Sequence, residues 1–239
     1  MNLESFADPA PAVVIGSSGG IGAALAGMLA ASPAFSRVIT CGRRDAELFV
    51  DLEDEASIAA AAAAVRENGQ PALVIVATGI LHEGERLQPE KRWQDIDAAS
   101  MQRAFAINTT GPALVARHFL PILRPKQKSV FAALSARVGS ISDNRLGGWI
   151  SYRASKAALN MVIKTLSIEL ARRHKQAIIV GLHPGTVDTS LSSPFQANVP
   201  EGKLFTPQHA AERLLSVLDG LSVDDSGRVF AWDGAAVPP

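Results

Sequence analysis

Tyr152 is the one tyrosine in a chain of 239 residues, and Lys156 stands four positions after it. On a helix, residues i and i+4 share a face. A free phenol has a pKa of ~10 and is a poor acid or base at neutral pH. A neighbouring ammonium favours the phenolate and lowers that value. A phenol so tuned can give a proton to a carbonyl oxygen as hydride reaches the carbon. A solvated surface pair shows the same spacing, so the pair gains meaning only in company. A second cluster, Gly16-Ser17-Ser18-Gly19-Gly20-Ile21-Gly22, follows the apolar run Ala12-Val13-Val14-Ile15. Glycines allow a tight turn and close backbone approach, and a helix N-terminus offers free N–H groups and a positive dipole end. A phosphate or pyrophosphate fits such a turn, with Gly16, Ser18, Gly20, Ile21 and Gly22 as its candidate wall. The spacing differs from the commoner G-x-G-x-x-G, and there is no P-loop lysine. A third cluster is Asn108-Thr109-Thr110-Gly111-Pro112. These residues are poor in a helix interior. Pro112 has no N–H for the Asn108 carbonyl four residues back, so a kink that frees this carbonyl is expected.

These groups must be held by a regular frame. Short apolar runs predict strands at 12–15, 37–41, 47–50, 73–77, 129–134, 177–182 and 228–231. Helical spacing predicts helices at 20–31, 55–68, 100–123, 151–174 and 207–218. The second of these contains six consecutive alanines, the best helix formers, and stops at Gly69. Strands alternating with helices imply βαβ units and an α/β, doubly wound parallel sheet of the Rossmann type. Without a linker, repeat or charge block, residues 1–239 read as a single domain. Residues 188–206 are Ser- and Pro-rich, aperiodic and longer than an ordinary connection, as lids often are.

Composition narrows the class. Lysine plus arginine and aspartate plus glutamate both number 23, which disfavours a nucleic-acid or anionic-membrane binder. A single cysteine, Cys41, rules out an intramolecular disulfide and a Cys-rich zinc site, and its place on a strand makes it an inert hydrophobe. Five dispersed histidines give no metal site. His118 and His174 read as surface or capping residues, and His183 as a backbone element beside Pro184. No apolar run reaches the ~18 residues of a membrane span, and the start of the chain lacks signal-peptide character. A cytoplasmic protein without a membrane partner is expected.

Taken in order, Gly16-x-x-x-Gly20-Ile21-Gly22, Asp51-Leu52, Asn108, Tyr152-x-x-x-Lys156 and Pro184-Gly185-x-Val187-x-Thr189 resemble the short-chain dehydrogenase/reductases over nearly the whole chain. Ser135-Ala136-Arg137-Val138-Gly139-Ser140-Ile141, the run 152–160 and Phe230-Ala231-Trp232-Asp233-Gly234 look like the C-factor-like branch, near the monomeric carbonyl reductases. The resemblance implies an oxidoreductase moving hydride between a nicotinamide cofactor and a small carbonyl or alcohol substrate. Tyr152 would be the proton donor, and Lys156 would lower its pKa and hold the nicotinamide ribose. Asn108 would keep a water in a relay to Lys156. Asp51 would meet the adenine amino group with Leu52 beside it, Pro184, Gly185 and Val187 would flank the nicotinamide, and Gly79 and Thr189 would be further cofactor contacts. Relatives include both homodimers and monomers. A regulator or signalling protein that keeps the fold and binds a nucleotide with little turnover is the competing class.

Three departures from the pattern stand out. Ile15 replaces the threonine before the first glycine, and Val76-Ala77-Thr78-Gly79 replaces Asn-Asn-Ala-Gly. Ala136 occupies the place of the catalytic serine, which leaves Ser135, one residue early, as the second donor and Ser140 as the next choice. The cofactor preference has a physical basis. An acidic residue ending the second strand would bond ribose hydroxyls and repel a 2′-phosphate. Cys41 ends that strand here and Gly42-Arg43-Arg44 follow. Arginine's planar fork suits phosphate, which favours NADP(H) over NAD with Arg43 as the contact. The alternative leaves Arg43 and Arg44 solvated and gives Asp45 to the cofactor.

Overall fold

The computed structural model describes residues 2–6 and 8–239. Its strands are the apolar, β-branched runs, which suit a pleated surface packed on both faces. They are β1 (Ala10–Ile15), β2 (Phe35–Gly42), β3 (Leu48–Phe49), β4 (Leu73–Val76), β5 (Ser129–Leu134), β6 (Ala177–His183), β7 (Thr186–Val187), β8 (Leu204–Phe205) and β9 (Val229–Ala231). Seven make one parallel sheet in the order β3-β2-β1-β4-β5-β6-β9, while β7 and β8 form a separate parallel pair. The helices are α1 (Gly20–Ala30), α2 (Glu55–Glu67), α3 (Ala98–Phe105), α4 (Gly111–Phe119), α5 (Ile150–Arg173) and α6 (Pro207–Gly220). None is long and apolar enough to cross a membrane.

Alternation along each strand builds two cores. Val13 and Ile15 join Val74 and Phe131 beneath residues of α2, α4 and α5. Val14, Ile75 and Val180 face the other way, under Leu25 and Leu29 of α1 and Leu214 and Leu218 of α6. Each fully buried aliphatic side chain contributes ~1.5–3 kcal/mol, so both layers hold the sheet. Caps set the helix starts. The Asp54 side chain accepts the Ala56 N–H at 3.0 Å before α2, and the Thr206 hydroxyl accepts the His209 N–H at 3.1 Å before α6. The doubly wound α/β sheet is the expected one. Its strand order reverses between β1 and β4, and such sheets bind ligands at the carboxyl ends of the strands there.

Two segments differ from expectation. The helix expected over 100–123 is not continuous: α3 runs into a π-helical turn, Ala106–Thr110, before α4, and a 3-10 turn, Leu120–Ile122, follows. The kink expected at Pro112 thus takes the form of a wider turn. That turn brings Asn108 and Thr109 to α5, where the Thr109 hydroxyl donates to the Ser155 carbonyl at 2.7 Å. Residues 188–206 are not wholly irregular either. They leave β7, include a 3-10 turn at Ser193–Asn198, and return through β8.

Candidate active site

A groove runs along the carboxyl edge of the sheet. One part, about 340 Å³, is lined by Gly16 and Ser18 after β1, Arg43 and Arg44 after β2, and Asp51 and Leu52. The other, about 180 Å³, is lined by Gly20, Ile21, Ser135, Tyr152, Lys156, Pro184 and Thr189. Both parts share Gly19, Ala77, Thr78, Gly79 and Ser190, so they form one passage from the Arg43 end to Tyr152.

The glycine turn is built by contact. Gly16 has φ +87°, and a Cβ there would lie 2.7 Å from Thr78 Cγ2 and 3.0 Å from the Ala77 carbonyl oxygen. A Cβ on Gly22 would lie 2.1 Å from the Gly16 carbonyl oxygen, so α1 rests directly on the turn. Gly20 abuts Thr189 of the 188–206 segment. Asp45, the alternative cofactor contact, is not on the groove wall, whereas Arg43 and Arg44 are. Neither arginine makes an ion pair among the described residues.

Tyr152 and Lys156 share a face of α5, with the ammonium 5.9 Å from the ring centroid. Lys156 Nζ donates to the Leu134 carbonyl at 2.8 Å. Burial pushes the Lys156 ammonium down to about 7 and the Tyr152 phenol up to about 12. The expected lowering of the phenol by its neighbour is therefore corrected: removal from water is the cause that acts on each group, and it disfavours the charged form of each. Gly79 lies over the pair's base, since a Cβ there would meet Asn108 Oδ1 and Lys156 Nζ at 3.5 Å each.

Asn108 is fully engaged. Its Oδ1 accepts the Ile80 N–H at 2.8 Å, and its Nδ2 donates to the Ile80 carbonyl at 2.8 Å and to Ser155 Oγ at 3.1 Å. It thereby braces the strand-to-loop turn after β4, where the Asn-Asn-Ala-Gly pattern is missing. Ser135 lines the groove, and its hydroxyl donates to Asn160 Oδ1 at 2.6 Å. Ser140 is committed to its own loop and to the last residue, accepting the Asp143 N–H at 3.1 Å and donating to the Pro239 oxygen at 3.3 Å.

Three expected cofactor residues are not on the groove wall: Gly22 is buried against the Gly16 carbonyl, and Gly185 and Val187 also lie off it. Gly185, at φ +79°, packs under the Phe205 ring, and Val187 is buried in β7. His183 is also off the wall, and burial pushes its imidazole down to about 4. Cys41 is buried with its thiol pushed up to about 12, which leaves no thiolate for chemistry. The sequence reading missed Ser190 and Leu191, which reach the groove from the 188–206 segment, and did not assign Thr78 to it. Thr78 had a signal in its place directly after the fourth strand. Its hydroxyl is buried without a partner among the described residues.

The chain is similar to known proteins along most of its length. Residues 10–200 match the short chain dehydrogenase family. The chain belongs to that family. It is 39% identical to C-signal of Myxococcus xanthus over 144 residues, 60% of this chain and 81% of that protein. It is 32% identical to the 1-hydroxy-2-glutathionyl-2-methyl-3-butene dehydrogenase of Rhodococcus sp. (strain AD45), over 77% of this chain and 76% of that one. Its fold superposes on the NADPH-bound carbonyl reductase from chicken fatty liver with a TM-score of 0.79 and 27% identity, covering 97% and 98% of the two chains. The family member is thus an NAD(P)-dependent oxidoreductase with carbonyl reductase-like and C-signal-like relatives.

Proposed function

We propose that this chain transfers hydride between NADP(H) and a carbonyl or alcohol substrate, with Tyr152 exchanging the proton at the substrate oxygen. The observation that carries the reading is the continuous passage from Arg43 and Arg44 to Tyr152 and Lys156. The groove suits a dinucleotide. Guanidiniums without an ion pair among the described residues call for an anion at one end, the glycine turn opens on a helix N-terminus, and midway the Thr78 hydroxyl has no partner among the described residues. NADP(H) would supply hydride at its nicotinamide ring, between Thr189 and Tyr152. Arg43 would hold the 2′-phosphate, with Arg44 behind it. Ser18, Gly20 and Ile21 would receive the pyrophosphate, and Asp51 and Leu52 the adenine.

In the reducing direction Tyr152 starts with its proton, since a phenol pushed up to about 12 is neutral at physiological pH. It gives that proton to the oxygen as hydride reaches the carbon. The Lys156 ammonium, anchored on Leu134, stabilises the phenolate left behind. Ser135 is the second donor once its hydroxyl turns from Asn160 toward the substrate oxygen. A donor of that kind is worth ~3 kcal/mol in such sites.

NADPH oxidation against aldehydes, ketones and quinones tests the activity. Tyr152→Phe should leave NADPH affinity nearly unchanged and lower kcat by about 100-fold or more, the usual loss for a general acid. A variant that keeps most of the wild-type rate would remove Tyr152 from the reaction.

A further inference from the structure

We propose that Glu90 is a positioning residue for Tyr152, acting through the first turn of α5; this rests on Tyr152 being the proton donor. Glu90 is 4% exposed and makes no ion pair among the described residues. A buried carboxylate without a cation must be met by N–H and O–H donors. Both its oxygens accept the Ser151 N–H, at 3.3 and 3.1 Å, and Oε1 also accepts the Ser151 hydroxyl. The Glu90 main-chain carbonyl accepts the Trp149 N–H at 2.5 Å. One residue thus grips two of the three that directly precede Tyr152.

The grip matters because the chain enters α5 in an uncommon shape. Gly147, Gly148 and Trp149 all have left-handed backbones, with φ of 63°, 65° and 51°. Glycine adopts this conformation freely, but a bulky residue holds it only when its surroundings impose it. Trp149 offers α5 no side-chain cap. The Glu90 carboxylate supplies one instead, and its charge meets the positive end of the helix. The imposed turn sets the Trp149 ring edge-on to Tyr152, with centroids 6.3 Å apart. The same ring meets Phe195 of the 188–206 segment at 5.1 Å. Without Glu90 the left-handed residues are free to relax, and the phenol shifts with them against a reaction centre fixed by β1 and β4.

The test compares Glu90→Ala, Glu90→Gln and Ser151→Ala with wild type and Tyr152→Phe, all as full chains. The readouts are kcat and KM for an accepted carbonyl, the NADPH Kd, and thermal unfolding, with rates taken well below each transition. Glu90→Ala should lower kcat about tenfold or more, because small misplacements of a reacting group cost that much. Its NADPH Kd should hold. Glu90→Gln keeps the shape and one acceptor and should recover most of the rate. If Glu90→Ala does not fold, Ser151→Ala carries the test: a lower kcat at unchanged NADPH Kd supports the proposal, and a wild-type kcat overturns it. Reduced thermal stability with wild-type kcat in Glu90→Ala, beside an inactive Tyr152→Phe, also overturns it and leaves Tyr152 as the donor. An active Tyr152→Phe overturns the proton-donor reading instead.

Discussion

Arg43 and Arg44 leave β2 without a carboxylate partner among the described residues, and both line the groove. Under the proposed reading, Arg43→Asp removes a charge-assisted phosphate contact worth ~1.5–3 kcal/mol and adds repulsion. The ratio of kcat/KM for NADPH over NADH should fall by about tenfold or more. An unchanged ratio would pass the role to Arg44 or to neither. Lys156 makes a second prediction, this time in pH. Its folded pKa of about 7 lies below the 10.5 of a free lysine side chain. Between those values the unfolded chain binds more protons, so stability rises with pH, by at most ~1.4 kcal/mol per unit. Below about 7 both states are protonated, and the cost of burying the ammonium is fully present. Lys156→Met does not titrate, so the unfolding free energy of wild type minus that of the variant should climb across this window in urea titrations. A flat difference would mean that Lys156 titrates normally in the folded protein. That Tyr152, Lys156 and the glycine turn would line one groove was legible in the sequence, because few residue types suit the chemistry proposed for them. The direction of the phenol's shift was not, because burial is a property of the fold.

The break between α3 and α4 shows what one element transmits to the site. α4 starts at Gly111, where a Cβ would lie 2.7 Å from Leu52 Cβ. Gly111→Ala must push Leu52, which lines the groove, and overpacking of this kind costs ~1–3 kcal/mol. Both Tm and NADPH affinity should fall, checked by thermal scans and fluorescence titration. A lower Tm with unchanged affinity would confine the effect to packing. Pro112 announces this break, yet the π turn itself was not legible. Its partner is Ser155, which meets Asn108 and Thr109 across separations of 47 and 46 residues. β5, by contrast, was legible to the residue, since an unbroken apolar run buried on both faces signals its own ends. β7 and β8 have two residues each, too few for any periodicity. Ser190 and Leu191 escaped notice for the same reason, because only loop geometry brings them to the groove.

At the scale of the whole molecule, stability and chemistry sit at opposite edges of the sheet. Lys128, just before β5, donates to the carbonyls of Leu218, Asp219 and Leu221 at 2.8–2.9 Å and to Ser5 Oγ at 2.8 Å. Its ammonium lies 5.1 Å from the Phe6 ring centroid. One amine therefore ties the amino edge of the sheet to the end of α6 and to residues near the start of the chain. Lys128→Met strands those carbonyls and should cost about 2–4 kcal/mol, read as a lower urea midpoint. The rate per folded molecule should stay at the wild-type level, because Tyr152 lies at the other edge. A matching loss of rate would mean that the two edges are coupled. The clasp of β7 on β8 has a different consequence. It joins Thr186–Val187 to Leu204–Phe205, and the Asp188 N–H adds a bond to the Phe205 carbonyl at 2.8 Å. With both ends fastened, the stretch between is a closed loop, and the entropy of closing one grows only with the logarithm of its length. Insertions and deletions beyond Phe195 and before Leu204 need not disturb Pro184 on one side or α6 on the other. Descendants of this chain can therefore exchange the stretch as a single cassette, as long as the contact of Phe195 with Trp149 is kept.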